Sequence, residues 1–172
     1  MRNLKIRRLK EAKLKELVNY PMELIDSAIN EIRLLTHKHV TPLKNIDLKE
    51  MVKALLRTEE ESLRIKISFL YDVVHEITDD NLKLNIYRII QEQLNNIRKH
   101  ADASLVEVFI VAAADCNLHV VVTDNGRGFD AAKKRKGIGI SNIEHRIESF
   151  NGEVNIRTAK GKGCTIEIKI PY

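Results

Sequence analysis

The stretch of sequence that decides the fold runs from Asn85 to Ala101 and reads NIYRIIQEQLNNIRKHA. At about 100° per residue, a helix gathers its apolar residues into one narrow sector. That sector holds Ile86, Ile90, Leu94, Ile97 and Ala101, and the opposite side holds Glu92, Asn96 and Lys99, flanked by Asn95 and His100. Most polar helix faces are merely solvated. This one combines an acid–base group, a neutral oxygen ligand suited to Mg²⁺ and cations for phosphate. We therefore predict a helix over about residues 81–101, introduced by Asp79 and Asp80, with a candidate site on its polar side.

A second polar motif, Asp124-Asn-Gly-Arg-Gly-Phe-Asp130, follows a predicted strand. Asp, Asn and Gly are common in turns, so a plain turn explains the motif equally well. An acid at a strand end, followed by glycines that let a planar ligand approach the backbone, is also suited to bind the amino group of a base. The candidate residues are Asp124, Gly126 and Gly128.

A third motif, Gly137-Ile-Gly139-Ile-Ser, opens a predicted helix at 138–150 that ends at Asn151-Gly152, a left-handed cap. A glycine-rich approach to a helix N-terminus is suited to phosphate, because free backbone N–H groups point at the anion. The basic run that precedes it, including Arg135 and Lys136, is either solvated or part of that anion site.

The remaining patterns predict one further helix from residue 48 to 60 and strands at 64–71, 105–113, 118–124, 153–158 and 164–170. The last two strands pair as a hairpin across residues 159–163, and we expect the final strand to lie at an edge of the sheet. Two helices are expected at 3–19 and 22–38. Strands with interspersed helices but no regular βαβ alternation predict an α+β fold, a two-layer α/β sandwich with an N-terminal helical segment.

Together the motifs resemble the Bergerat-fold ATPases, a superfamily of gyrase, heat-shock chaperone, histidine kinase and mismatch-repair proteins. The resemblance consists of the order and spacing of Glu92-xxx-Asn96-xx-Lys99-His100, Asp124-x-Gly126-x-Gly128, Gly137-x-Gly139 and Gly161-x-Gly163-x-Thr165. It is strong over residues 82–171 and extends more weakly to residue 22. No Walker P-loop motif occurs in the sequence.

Within that superfamily, residues 87–101 and the short gap between Asp124 and Gly137 resemble the nitrate-sensor-like subgroup of bacterial sensor histidine kinases. Residues 31–42 resemble the end of the second dimerisation helix of those kinases. The resemblance implies two parts of the chain, a helical dimerisation remnant or linker at 1–41 and an ATP-binding catalytic domain at 42–172.

The resemblance also implies roles for residues. Asn96 would ligand Mg²⁺, and Asp124 would bind the adenine amino group with Thr165 nearby. Phosphate would face Lys99, His100, Arg135 and Lys136, while Gly126, Gly128, Gly137 and Gly139 would allow close approach. Glu92 matches the water-activating glutamate of hydrolytic relatives, and in a kinase it would orient water or metal. The implied cofactors are ATP and Mg²⁺.

The family's phosphoacceptor is a histidine followed by an acid, on the first dimerisation helix. Only His75-Glu76 has that dipeptide form here, and we interpret it as a surface loop pair. We therefore expect a protein histidine kinase domain that binds Mg·ATP but does not phosphorylate itself. The implied partners are an upstream dimerisation and phosphoacceptor domain and a response regulator, in a homodimeric parent. Two alternatives stay open, a hydrolytic ATPase with Glu92 as base and an anti-sigma-like regulatory kinase.

Charge and composition limit the other classes of function. The net charge of +5 comes from residues 1–20, which hold seven of the 29 basic residues and two of the 24 acidic ones. The remaining chain has 22 of each, so we predict no nucleic-acid partner. No apolar run reaches the roughly 18 residues of a membrane span, and the charged start is unlike a signal peptide. We expect a cytoplasmic domain, with or without a membrane anchor in the parent.

Overall fold

In the part of the chain that the structure describes, five β-strands form one mixed sheet in the order β1-β2-β3-β5-β4. They are β1 (Lys66–Asp72), β2 (Leu105–Ala112), β3 (Asn117–Asp124), β4 (Glu153–Thr158) and β5 (Cys164–Pro171). The β1–β2 pair is parallel, whereas β2–β3, β3–β5 and β4–β5 are antiparallel. The β4–β5 hairpin is as predicted. The expectation that the last strand is an edge strand was wrong, because β5 pairs on its other side with β3 and leaves β1 and β4 at the edges.

The structure is a computed structural model that describes residues 47–63, 65–112, 117–130 and 138–171. All of these residues belong to one unit of the chain, Lys44–Tyr172. The helices predicted at 3–19 and 22–38, the proposed domain at 1–41 and the predicted site residues Arg135, Lys136 and Gly137 lie outside the described residues.

The described helices that accompany the sheet are α1 (Leu48–Leu63), α2 (Asp80–His100) and α3 (Ile138–Glu148). The start of α1 is capped by Asp47, whose Oδ1 accepts from Glu50 N at 3.0 Å. Asp79 caps α2 by accepting from the backbone N of Asn81 and Leu82 at 2.8 and 3.2 Å. After α3, Asn151 adopts a positive φ of 54°, which is the left-handed cap that the sequence predicts.

The core lies between one face of the sheet and the helices. The strands alternate, and their inward residues are buried: Val106, Val108, Ile110, Leu118, Val120, Val122, Ile166, Ile168 and Ile170. The predicted apolar sector of α2 is also buried. Helix α2 packs on β3, and it is flanked by α1, which also contacts β1, and by α3, which also contacts β4. The predicted two-layer α+β sandwich is therefore confirmed.

Two sequence expectations concern a loop and the possibility of a membrane span. His75 and Glu76 are exposed in the loop between β1 and α2, as the interpretation of a surface pair requires. Among the described residues, no helix combines the length and the apolar character needed to cross a membrane.

Candidate functional site: a seam between α2, α3 and the ends of β3 and β5

The polar side of α2 is graded in exposure along the helix. Glu92 and Asn96 are half-buried, whereas Lys99 and His100, in the last turn, are exposed. Glu92 and Asn96 are one turn apart and therefore point to the same side. The Asn96 amide nitrogen donates to Gln93 Oε1 at 3.4 Å, and Gln93 is itself buried. This contact orients the amide so that its oxygen is the atom available to a ligand.

The first turn of α3 lies directly against this pair. A Cβ atom at Gly139 would sit 2.5 Å from Glu92 Oε1 and 3.4 Å from both terminal atoms of the Asn96 amide. Only a residue without a side chain lets the helix start approach α2 so closely. Because the first N–H groups of a helix have no partners within it, this junction combines backbone donors suited to an anion, an amide oxygen and a carboxylate.

Asp124 forms a second polar centre at the end of β3. The residue is 4% exposed, and its Oδ1 accepts from Gly126 N at 2.8 Å. Burial raises the pKa of Asp124, while backbone hydrogen bonds from Gly126 and Cys164 act in the opposite direction. The carboxylate is thus held in one orientation by backbone donors, with acceptor capacity left for a ligand.

The loop after Asp124 is fixed against the C-terminal end of α2. Arg127 N donates to Ala101 O at 2.8 Å, and Gly161 N donates to Arg127 O at 2.6 Å. A Cβ at Gly126 would collide with the Ala101 carbonyl oxygen and lie 2.8 Å from Asp124 Oδ1. Gly128 has a φ of 53° and lies against the backbone of the β4–β5 turn. Both glycines are therefore required by the backbone geometry of the loop.

Three side chains form a row across the strand ends on the helix side of the sheet. Asp124 is paired with Cys164, and Cys164 with Thr158. Burial raises the pKa of the Cys164 thiol to about 11, with the Asp124 charge adding to the rise and a hydrogen bond with Thr158 opposing it. Thr158 also donates to Gly163 O at 2.8 Å and accepts from Phe129 N at 3.1 Å. The thiol is therefore neutral at physiological pH and forms a small wall beside Asp124.

Thr165 is not brought to this row. It is the residue after Cys164 in an extended strand, so its side chain points to the opposite face of the sheet. There its hydroxyl is hydrogen-bonded to the hydroxyl of Thr123, its register partner. The sequence interpretation gave no site role to Cys164 or Thr158. The buried alternation Cys164, Ile166, Ile168, Ile170 carries the signal that could have identified Cys164 as the inward residue.

The two polar centres lie at either end of one stretch of α2. The Asp124 loop touches Ala101, and the Asn96–Gly139 junction is five residues earlier, about 8 Å along the helix axis at 1.5 Å per residue. If a base binds at Asp124, the remainder of its nucleotide can reach the backbone donors at the start of α3 and the amide oxygen of Asn96. A nucleotide with a phosphate chain fits this arrangement.

Comparison with known proteins agrees with this geometry. The profile of the histidine kinase-, DNA gyrase B- and HSP90-like ATPases matches residues 81–172, more than half of the chain. The chain belongs to this ATPase family. The predicted resemblance to Bergerat ATPases and to sensor histidine kinases is confirmed, while the narrower nitrate-sensor-like subgroup stays a prediction.

Two curated relatives of the chain are named as histidine kinases. The chain is 32% identical over 151 residues to the signal transduction histidine-protein kinase/phosphatase DegS of Brevibacillus brevis, covering 87% of this chain and 39% of that protein. It is 32% identical over 161 residues to the sensor histidine kinase YdfH of Bacillus subtilis, covering 91% of this chain and 39% of that protein. The chain therefore spans about two fifths of the length of the curated relatives it matches.

Solved structures show the same fold. The histidine kinase domain of the blue-light-activated kinase of Erythrobacter litoralis EL346 superposes with a TM-score of 0.64 at 21% identity, covering 74% of this chain and 62% of that one. The histidine kinase AdeS of Acinetobacter baumannii superposes with a TM-score of 0.61 at 19% identity, covering 94% and 84%. At these identities the likeness shows the fold alone.

Proposed function

We propose that this ATPase domain is the catalytic part of a sensor histidine kinase, which binds Mg·ATP and transfers its terminal phosphoryl group to a histidine of a dimerisation domain. The observation that carries the proposal is the spacing of two polar centres along α2. The buried Asp124 lies at one end, and the junction of Asn96 with Gly139 lies at the other.

Asp124 is proposed to accept from the exocyclic amino group of adenine. Its fixed orientation and the flat space left by Gly126 suit an aromatic base, and the Cys164 thiol would line one side of that base. The sequence motif places Thr165 near adenine, but its position on the other face of the sheet makes Cys164 the better candidate. A buried carboxylate that finds no matching donor is costly, so this acceptor favours adenine over bases without an amino group there.

Asn96 is proposed to ligand Mg²⁺ through its amide oxygen, which the Gln93 contact leaves available. Mg²⁺ neutralises phosphate charge and takes its other ligands from phosphate and water. The free N–H groups at the start of α3, next to Gly139, would bind phosphate oxygens. Lys99, His100, Arg135, Lys136 and Gly137 remain proposed phosphate contacts on the strength of the sequence motifs.

Glu92 is proposed to orient a water molecule or a metal ligand. Its Oε1 lies against the Gly139 position, beside Asn96. In a kinase the nucleophile is the acceptor histidine, so we assign Glu92 an orienting role. The same placement favours one second candidate, a hydrolytic ATPase with Glu92 as general base. Steady phosphate release that Glu92→Ala abolishes would support the hydrolytic function instead.

The organisation of the whole protein is also part of the proposal. Residues 1–41 would be the remnant or linker of a dimerisation domain, and residues 42–172 the catalytic domain. The parent would be a homodimer that passes its phosphoryl group to a response regulator, with no nucleic-acid partner. A cytoplasmic location of this part follows from that role, whether or not the parent carries a membrane anchor.

The experiment that tests this function is phosphoryl transfer in trans. The full chain is incubated with γ-labelled ATP, Mg²⁺ and the separately produced dimerisation domain of its parent. We expect acid-labile label on that domain, none on the chain alone, and none with Asn96→Ala. Label on the 172-residue chain by itself, or transfer that survives Asn96→Ala undiminished, would contradict the assignment.

A further inference from the structure

Two arginines meet across the seam between α2 and α3. Arg146 Nη1, on α3, donates to Asn85 Oδ1 on α2 at 3.4 Å, and Arg88 lies one turn after Asn85. Arg88 Nη1 donates to Gln91 Oε1 at 2.7 Å, and its guanidinium lies 5.7 Å from the centre of the Tyr87 ring. Both arginines are half-buried. The two positive groups are close enough for the charge of Arg146 to act on Arg88.

The charges of this pair are not balanced within the described part of the chain. Neither guanidinium forms an ion pair with a carboxylate of the described residues. Arg88 Nε is buried and has no hydrogen-bond partner among those same residues. Burial lowers the pKa of Arg88, and the charge of Arg146 lowers it further against an opposing influence of Tyr87. Two like charges in partial burial, with an unsatisfied donor, are unfavourable unless an anion joins them.

The two arginines lie on the same contact between α2 and α3 as the proposed catalytic residues. Arg88 precedes Glu92 by one turn of α2, and Arg146 follows Gly139 by two turns of α3, so all four positions lie along the same contact between the helices. Since Gly139 touches Glu92 and Asn96, the arginines lie beyond Glu92. Eight residues separate Arg88 from Asn96, which is about 12 Å along the helix.

This distance decides which reactant supplies the anion. A metal-bound phosphate chain centred on Asn96 and the first turn of α3 would lie on the near side of Glu92. An anion at the arginine pair therefore belongs to the molecule that approaches from the far side, the phosphoryl acceptor. Planar guanidinium groups match carboxylates with paired hydrogen bonds, and an incoming carboxylate that draws Arg88 outward would satisfy its orphaned Nε.

We propose that Arg88 and Arg146 bind a carboxylate side chain of the acidic protein segment that presents the phosphoryl acceptor to the nucleotide. The inference rests on the proposed kinase function, because it assigns the acceptor's docking point on the same seam. It gives the two arginines a role in partner recognition and none in nucleotide binding.

The test uses the full chain and a defined probe, an alanine-based helical peptide of about four turns carrying glutamate, with a glutamine peptide as its control. Binding is followed by NMR of the arginine Nε–Hε signals. We expect the glutamate peptide to shift the Arg88 and Arg146 signals, and the glutamine peptide to bind at least about tenfold more weakly. Arg88→Gln and Arg146→Gln should each weaken peptide binding by about tenfold.

The controls separate charge from folding and from nucleotide binding. Arg57→Gln, which removes the same charge from an exposed position on α1, should leave peptide binding unchanged. Arg88→Lys should retain part of it. Melting curves show whether each variant folds, and Mg·nucleotide affinity should stay within about twofold of wild type.

Three results would overturn the inference: equal binding of both peptides, unchanged binding by Arg88→Gln and Arg146→Gln, or stronger shifts from inorganic phosphate than from the peptide. The last would indicate a small-anion site. Failure of the wild-type chain to bind Mg·nucleotide would instead count against the proposed function, because peptide binding is measured without nucleotide.

Discussion

Adding one methyl group at Gly126 tests the contact between the Asp124 loop and the end of α2. The new Cβ would collide with the Ala101 carbonyl oxygen and lie 2.8 Å from both the Ala101 Cβ and Asp124 Oδ1. Non-bonded carbon contacts are comfortable at about 3.5–4.0 Å, so the loop and its neighbours must separate by about 0.7–1.2 Å. The carbonyl cannot yield freely, because it accepts from Arg127 N.

The expected cost in folding stability is that of overpacking a tight site, about 1–3 kcal/mol. Nucleotide affinity should fall in addition to folding stability, because the displaced Asp124 no longer accepts from the adenine amino group. Loss of a hydrogen bond to a charged group costs about 1.5–3 kcal/mol, which is about 10- to 150-fold in the dissociation constant.

The assay is calorimetric titration with Mg²⁺ and a non-hydrolysable ATP analogue, paired with thermal denaturation. Gly161→Ala is the matched control. Gly161 has a φ of 75°, and apart from its chain neighbours no described atom lies within 4 Å of a Cβ added there. Only backbone strain of about 1–2 kcal/mol is therefore expected in the control, and its nucleotide affinity should be unchanged. If Gly126→Ala binds nucleotide as tightly as Gly161→Ala, the proposed packing of the adenine site is wrong.

Three further predictions concern the strand ends. Thr165→Val removes the hydrogen bond to Thr123 and should lose about 1 kcal/mol of folding stability. Its nucleotide affinity should equal that of wild type in the same titration, and a loss of about tenfold in affinity would place Thr165 in the site. Cys164→Leu places a larger side chain beside Asp124. It should weaken nucleotide binding about tenfold or more and lower the folding stability measured by melting by about 1–3 kcal/mol. Unaltered nucleotide binding would exclude Cys164 from the site. Because burial raises the pKa of Asp124, its contribution to stability is fully present below the unfolded pKa and is lost as the pH rises through the folded pKa. Asp124→Asn should therefore melt with a weaker dependence on pH than wild type between the unfolded and the folded pKa of Asp124. Identical pH profiles would contradict a raised pKa.

Much of the fold could be predicted because single segments carry their own periodicity. The apolar sector of α2 repeats every three to four residues along the helix, and β2, β3 and β5 alternate buried with partly exposed residues. The caps at Asp79 and Asn151 are likewise local, because each is decided by one side chain and the neighbouring backbone.

The position of β5 could not be deduced in the same way. A hairpin signal in residues 153–170 fixes the pairing of β4 with β5, but nothing local states whether the free side of β5 meets another strand. That pairing with β3 joins residues far apart in the chain, such as Asn117 with Pro171. Long-range register of this kind is decided by burial of whole faces, which no single segment displays.

The candidate site shows the same division. Glu92, Asn96 and Asp124 could be named as candidates because their motifs resemble those of the family in order and spacing, and their roles remain predictions. Thr165 was proposed from the same resemblance, but a shift of one residue along a strand moves a side chain to the other face. The Arg88–Arg146 pair joins two helices and has no motif, so only the structure reveals it.

Nucleotide titration with variants of the two residues at opposite ends of the seam tests the central claim most directly. Wild type, Asn96→Ala and Asp124→Ala are titrated by calorimetry with ATP, with and without Mg²⁺. We predict that Asp124→Ala weakens binding under both conditions by about tenfold or more. Asn96→Ala should weaken binding chiefly when Mg²⁺ is present, because its proposed role is to ligand the metal. Unchanged affinity in both variants would contradict the site.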